Sequence, residues 1–146
     1  MTINEAIFRI DSIKPNGYSM PEKIKWLSTL DGMIKREIID THEGAEKVTF
    51  NGYDENSNLT TALLVPAPYD DIYLRWLEAQ IDYANNEYGK YNNSITLYNS
   101  AYANFDRYYN RTHMPIGKNF KYFGNTTTMK EWQAANSVVK VTLEEV

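Results

Sequence analysis

Leu77, Ile81, Ala84, Tyr88, Tyr91, Ile95, Tyr98, Tyr102, Phe105 and Tyr109 follow one another at alternating steps of four and three residues. That spacing keeps one apolar seam on the same side of an α-helix, and it is incompatible with the alternating pattern of a strand. Two helical arrangements satisfy it. One is a single kinked helix from about Tyr69 to Arg111, which would span about 64 Å at 1.5 Å per residue. The other, favoured for a chain of 146 residues, is a pair of helices folded back on each other with the break between Gly89 and Asn93. Pro66 and Pro68 pre-set the chain before this region, and Asp70 and Asp71 suit the positive end of a helix dipole.

Upstream, Thr2-Ile3-Asn4-Glu5 reads as a capping box, followed by Ile3, Ile7, Ile10 and Ile13 on one face of a short helix. Lys14 to Tyr18 (KPNGY) stops it. A second box, Ser19-Met20-Pro21-Glu22, opens a helix to about Asp40 with a stripe of Ile24, Leu27, Leu30, Ile34 and Ile38. Gly32 inside this helix signals a kink or a close approach. Between 41 and 68 two β-rich runs, VTFNGY and TALLV, flank the turn-forming DENSN, which predicts a small β-hairpin or flap. Past His113-Met114-Pro115 the helical stripe ends, and 115–146 reads as an extended docking arm closing in an edge-strand pattern. The expected architecture is therefore mainly α: a bundle of about four helices over 1–114 carrying the 41–68 flap, plus the C-terminal arm.

A chemical reading finds little. The sequence has no cysteine, no Gly-rich phosphate loop, and no GxSxG or HExxH pattern. His42 and His113, with Asp40 and Glu43, would make a hydrolytic or metal centre only if the fold gathered them; each also follows a predicted helix, where histidine bonds to the last carbonyls. Glu78, Asp82 and Glu87 form no single acidic face and read as solvated exterior, and Arg75 is spaced for ion pairs with Asp71 and Glu78. Lys118 and Lys121, interleaved with Phe120, Tyr122 and Phe123, resemble a stacking strip for single-stranded nucleic acid. The net charge of −4 favours protein docking instead. No catalytic residue, cofactor or metal is expected. The longest apolar run, ALLV, stops at Pro66, so no membrane span is expected either, and 1–14 lack a signal-peptide pattern.

Twelve tyrosines need an explanation that chemistry does not supply. Tyrosine suits half-buried surfaces, because its ring is apolar and its hydroxyl needs a partner. From 88 to 111 it alternates with asparagine and scarcely with charge, the texture of the buried centre of a protein interface. Candidate interface residues are Tyr83, Tyr108 and Tyr109 on the helices, and Phe120, Tyr122, Phe123, Trp132, Val139, Val141 and Leu143 on the arm.

The order of these features resembles the helical head–tail connector (adaptor) proteins of tailed bacteriophages. The resemblance is carried by Leu64-Val65-Pro66-Ala67-Pro68-Tyr69 leading into two Tyr/Ala/Asn-rich helices, with the helix pair and flap before them, over roughly 3–112. It implies a non-enzymatic virion protein, made in the bacterial cytoplasm, that sits at the neck beneath the portal protein as a ring of roughly twelve copies. Such a ring extends the DNA channel without binding DNA specifically and carries the next neck or tail protein. By position, the 115–146 arm would reach the portal or a neighbouring subunit. Two alternatives remain: a small helical regulator or assembly chaperone of a phage-like element, and an enzyme built on His42 or His113.

Overall fold

The computed structural model describes residues 1–116, together with the backbone of two short strands beyond them. Four α-helices build the subunit: α1 (Ile3–Ile13), α2 (Met20–Glu37), α3 (Asp71–Ala84) and α4 (Tyr88–Thr112). The Thr2 side chain accepts the Glu5 N–H while Glu5 reaches back to the Thr2 N–H, so the first capping box is complete. Ser19 caps α2 by accepting the Glu22 N–H, with Pro21 in the first turn. Arg75 pairs with Asp71 at 3.2 Å and with Glu78 at 3.7 Å, as its spacing predicts.

α3 lies at the centre because its apolar face is wide: Ile72, Tyr73, Leu74, Leu77, Ala79 and Ile81 are all buried, while Asp71, Arg75 and Glu78 occupy the remaining side. α1, α2 and α4 each pack on it. The isoleucines of α1 and the Ile24–Leu27–Leu30–Ile34 stripe of α2 close one side of this core, and Tyr98, Phe105 and Tyr109 of α4 close another.

The long seam is a helical hairpin, and α3 and α4 pack along each other. Its break falls at 85–87, just before the expected Gly89–Asn93. Asn86 adopts a left-handed φ of 60°, and Gly89 lies in the first turn of α4. Asparagine tolerates this conformation because its short polar side chain bonds locally. Here the Asn86 side chain accepts from the Tyr88 hydroxyl at 3.1 Å. Ala84 and Tyr88, at the tip, are exposed although they belong to the seam. Gly32 lies within the continuous α2, and a Cβ there would meet the Phe50 ring at an ordinary contact distance of 3.6 Å, so no close approach requires the glycine.

The β-hairpin expected at 41–68 is absent. The chain instead forms short 3-10 turns at Ile39–Thr41 and Ala45–Lys47 and then runs irregularly to α3. Its polar main chain finds partners other than a sister strand. The first N–H groups of α1 take two of its carbonyls, Ile3 to Thr61 at 3.1 Å and Asn4 to Leu59 at 3.0 Å. A buried carboxylate takes the Leu64 N–H at 3.2 Å. Two competing partners of this kind are enough to defeat a marginal two-stranded ribbon.

After α4 the chain runs beside 41–43, with Glu43 N–H to the Met114 carbonyl at 2.7 Å and Ile116 N–H to the Thr41 carbonyl at 2.9 Å. The main chain is thus hydrogen-bonded to the helical subunit as far as Ile116, whose side chain is exposed. Beyond it, β1 (Phe120–Tyr122) pairs antiparallel with β2 (Asn125–Thr127). The expected helical turns and edge strand at 128–146 lie outside the described residues. No helix among the described residues is long and apolar enough to cross a membrane.

Candidate functional site

Three polar constructions inside the subunit determine what is left at its surface. The first is centred on Asp31, which is fully buried on α2. Its Oδ1 accepts the Tyr73 hydroxyl at 2.6 Å, and its Oδ2 accepts the Tyr53 hydroxyl at 2.6 Å and the Leu64 N–H. Tyr73 in turn accepts the Val65 N–H at 2.7 Å. Burial pushes the Asp31 carboxyl above its ordinary range, and the three donors reverse only part of that shift. Burial beside this carboxylate also pushes both tyrosine hydroxyls far up, so they remain donors. The cluster ties the 41–68 segment to α2 and α3, a fastening task rather than a reactive one.

The second is Asp82 on α3, buried beneath the hairpin tip, where it pairs with Lys14 from the end of α1 and accepts the Ser94 hydroxyl from α4. Sequence reading placed Asp82 on the solvated exterior; the fold places it inside with both partners supplied.

The third gathers both histidines around Tyr109. His42 meets that ring edge-on at 5.0 Å, and His113 stacks flat on it at 3.9 Å. The polar atoms of His42 are committed to structure. His42 Nδ1 lies 2.6 Å from the Ile38 carbonyl at the end of α2, and Nε2 lies 2.6 Å from the Asn110 side chain of α4. Asp40 is paired with Lys35. Among the described residues no group of three or more His, Asp and Glu side chains is placed to hold a metal ion. An open cleft of about 280 Å³ between 49–53 and 57–64 is lined by Phe50, Tyr53, Asn58, Leu64 and small neutral residues, with no ionisable acid or base in its wall besides the tyrosine.

The remaining feature is the outer surface of the α3–α4 hairpin. Tyr83 is 57% exposed and meets Tyr88 and Tyr91 edge-on at 5.9 and 5.3 Å, making an aromatic corner at the tip. A hydroxyl bond from Tyr18 to Asn85 at 2.6 Å braces that corner against the α1–α2 connection. From Tyr91 to Phe105 the helix carries no charged residue, yet Asn92, Asn93, Thr96, Leu97, Asn99, Ser100 and Asn104 are exposed. Solvent-facing helices normally carry charge on that side. An exposed face that combines aromatic rings with uncharged amides and hydroxyls has the composition of a protein-recognition surface.

The expected interface residues separate accordingly. Tyr83 is free. Tyr108 is half-buried with one face stacked on Tyr69 at 4.6 Å, and Tyr109, only 7% exposed, belongs to the subunit's own core. The tyrosine hydroxyl at 109 is pushed up by that burial and by Asp40. Phe120 and Tyr122 are described only as backbone of β1, and Phe123, Trp132, Val139, Val141 and Leu143 lie outside the described residues. The uncharged stretch itself was readable in the sequence; its exposure was not, because that depends on which side α3 covers. No protein-family model, curated protein or solved structure matches the chain.

Proposed function

We propose that this protein is a structural adaptor at the neck of a tailed bacteriophage particle, one subunit of a ring between the portal protein and the next neck or tail component. The observation that carries this reading is the uncharged, exposed outer face of α4 joined to the Tyr83–Tyr88–Tyr91 corner. A ring subunit needs such a face toward each neighbour, and a small helical domain that worked alone would not need it. The buried Asp31, Asp82 and His42 fit the same reading, since each serves as an internal tie between elements. A net charge of −4 suits a ring through which DNA passes without being gripped.

Deleting the gene from the phage or prophage that encodes it tests the assignment. The adaptor reading expects DNA-filled heads without tails, and tailed particles again when the gene is supplied in trans. Normal yields of complete, infectious particles from the deletion would refute it.

A further inference from the structure

We propose that in the free subunit residues 137–143 dock as an added strand on the subunit's own 48–53 stretch, filling the cleft between 49–53 and 57–64. The contact does not depend on the ring reading. It goes beyond that reading by giving the end of the chain a docking site on the helical core.

The cleft has one open main-chain edge. Over 48–54 the chain runs without turn or bend, and Val48 is extended at φ −112° and ψ 117°. Among the described residues the N–H and carbonyl groups of Thr49, Phe50, Asn51 and Gly52 make no hydrogen bond. The facing wall is already used: the Leu59 and Thr61 carbonyls accept from Asn4 and Ile3, and the Leu63 N–H donates to the Met1 carbonyl. Thr49 and Asn51 are exposed while Val48, Phe50 and Tyr53 are half-buried. The Phe50 ring lies against α2 at Gly32, and the Tyr53 hydroxyl is bonded to Asp31. A two-stranded ribbon alone is marginal in water, and a helix packed behind it supplies what it lacks. An unpaired extended edge is a template for one more strand.

The same chain carries a matching segment. In 137–143, which lies outside the described residues, Val139, Val141 and Leu143 alternate with Lys140 and Thr142, the pattern of a strand with one apolar side. The connection is long enough. The Ile116 N–H bonds the Thr41 carbonyl, and Thr49 is eight residues from Thr41, at most about 29 Å away at about 3.6 Å per residue. Outside the β1–β2 hairpin, 117–119 and 128–136 give twelve residues of connection, which extend to about 40 Å. A tether of this length holds 137–143 at an effective concentration on the order of millimolar, ahead of the same segment on a separate chain.

Charge sets the direction of the added strand. Lys47, just before the 48–53 stretch, is exposed and pairs with no acid among the described residues, with Glu46 one residue further out. Asp54 and Glu55, just after it, are exposed and pair with no cation among the described residues. Glu144 and Glu145 directly follow the docking segment. Antiparallel pairing brings these two acids to the Lys47 end, whereas parallel pairing brings them to Asp54 and Glu55. Like charges opposed across strands are destabilising, so the antiparallel arrangement is selected.

Hydrogen–deuterium exchange of the full-length chain tests the contact, read at 49–52 by mass spectrometry on protein that sedimentation velocity shows to be monomeric. Alternate N–H groups of a strand face one partner, so about two of these four amides are expected to be protected. Their exchange should be about tenfold slower in wild type than in Val139→Asp with Val141→Asp. Far-UV circular dichroism and unchanged exchange in α3 verify that the variant keeps its fold. Lys47→Glu alone is expected to lower the protection about threefold, and adding Glu144→Lys with Glu145→Lys to restore it. Equal exchange in wild type and the valine variant overturns the docking. Protection that appears only at concentrations where oligomers form also overturns it, because the strand then comes from a neighbouring copy. A charge exchange that restores nothing overturns the antiparallel arrangement. Should the valine variant fail to fold, the series begun at the exposed Lys47 reads the same amides. Each of these results leaves the adaptor reading to its own test in particles.

Discussion

Replacing Tyr73 by phenylalanine removes one oxygen atom from the most heavily bonded polar cluster in the core. That oxygen donates to Asp31 and accepts from the Val65 N–H, and both Tyr73 and Val65 are fully buried. An orphaned buried N–H costs about 1–3 kcal/mol, and a lost hydrogen bond to a charged group costs about 1.5–3 kcal/mol. Both losses come from the same atom and are not fully additive, so the expected destabilisation is about 3 kcal/mol. Its pH dependence follows from the Asp31 carboxyl, which burial holds above its ordinary value. A group with a raised folded-state value contributes stability that is fullest below the unfolded value and is lost as pH rises through the folded value. Losing the Tyr73 donor lifts the folded value further, so the cost of the substitution grows as pH rises. Urea unfolding of both proteins, followed by far-UV circular dichroism between about pH 4 and about pH 8, measures it. A loss below about 0.5 kcal/mol throughout, or one larger at acid pH than at neutral pH, would refute the reasoning.

Other perturbations discriminate core from surface. Tyr98→Ala is expected to cost about 3–5 kcal/mol by loss of a buried ring, whereas Tyr83→Ala, at an exposed site, should leave the unfolding midpoint within about 0.5 kcal/mol of wild type. Lys14→Met strands Asp82 beneath the hairpin tip and is expected to cost about 3 kcal/mol, the low end for a broken buried pair because Lys14 is itself partly exposed; urea titration checks it. Gly32→Ala should raise stability by about 0.5–1 kcal/mol through helix propensity, since the new methyl would only touch the Phe50 ring at ordinary distance. Tyr98 is pushed up to about 12 by burial and then by Glu37. Its raised value means a contribution present below the unfolded tyrosine range and lost as pH rises through the folded value, so a spectrophotometric titration should show its ionisation delayed until alkaline unfolding.

The helices were legible because their signals are local. Thr2 and Glu5 complete a box within one turn, and the α1 and α2 stripes bury the residues that their spacing nominates except Ile13, which ends α1 and is 60% exposed. The hairpin tip was misplaced by a few residues because Gly89 is a more conspicuous breaker than Asn86, yet it is Asn86 that takes the left-handed conformation. The 41–68 segment failed for a different reason. VTFNGY and TALLV have strand composition, but the main chain of TALLV is claimed by the α1 N-terminus and by Asp31, and the Tyr53 N–H of VTFNGY by the Ser28 hydroxyl, partners that are remote in sequence. Asp31 and Asp82 did leave a trace, each being an acid inside an apolar stripe: Leu27–Leu30–Ile34 and Leu77–Ile81 respectively. A carboxylate in that position either unfolds the helix or has donors waiting for it, and only the tertiary structure names them. The candidate site was half-readable: the uncharged run is in the sequence, but burial had to separate Tyr83 from Tyr109.

The central claim is that this chain is a stoichiometric part of a tailed particle. Counting its copies against the portal protein by quantitative mass spectrometry of purified particles tests that most directly. A ratio near one to one is predicted for a portal-matched ring. Complete tailed particles that contain no trace of the chain would contradict it.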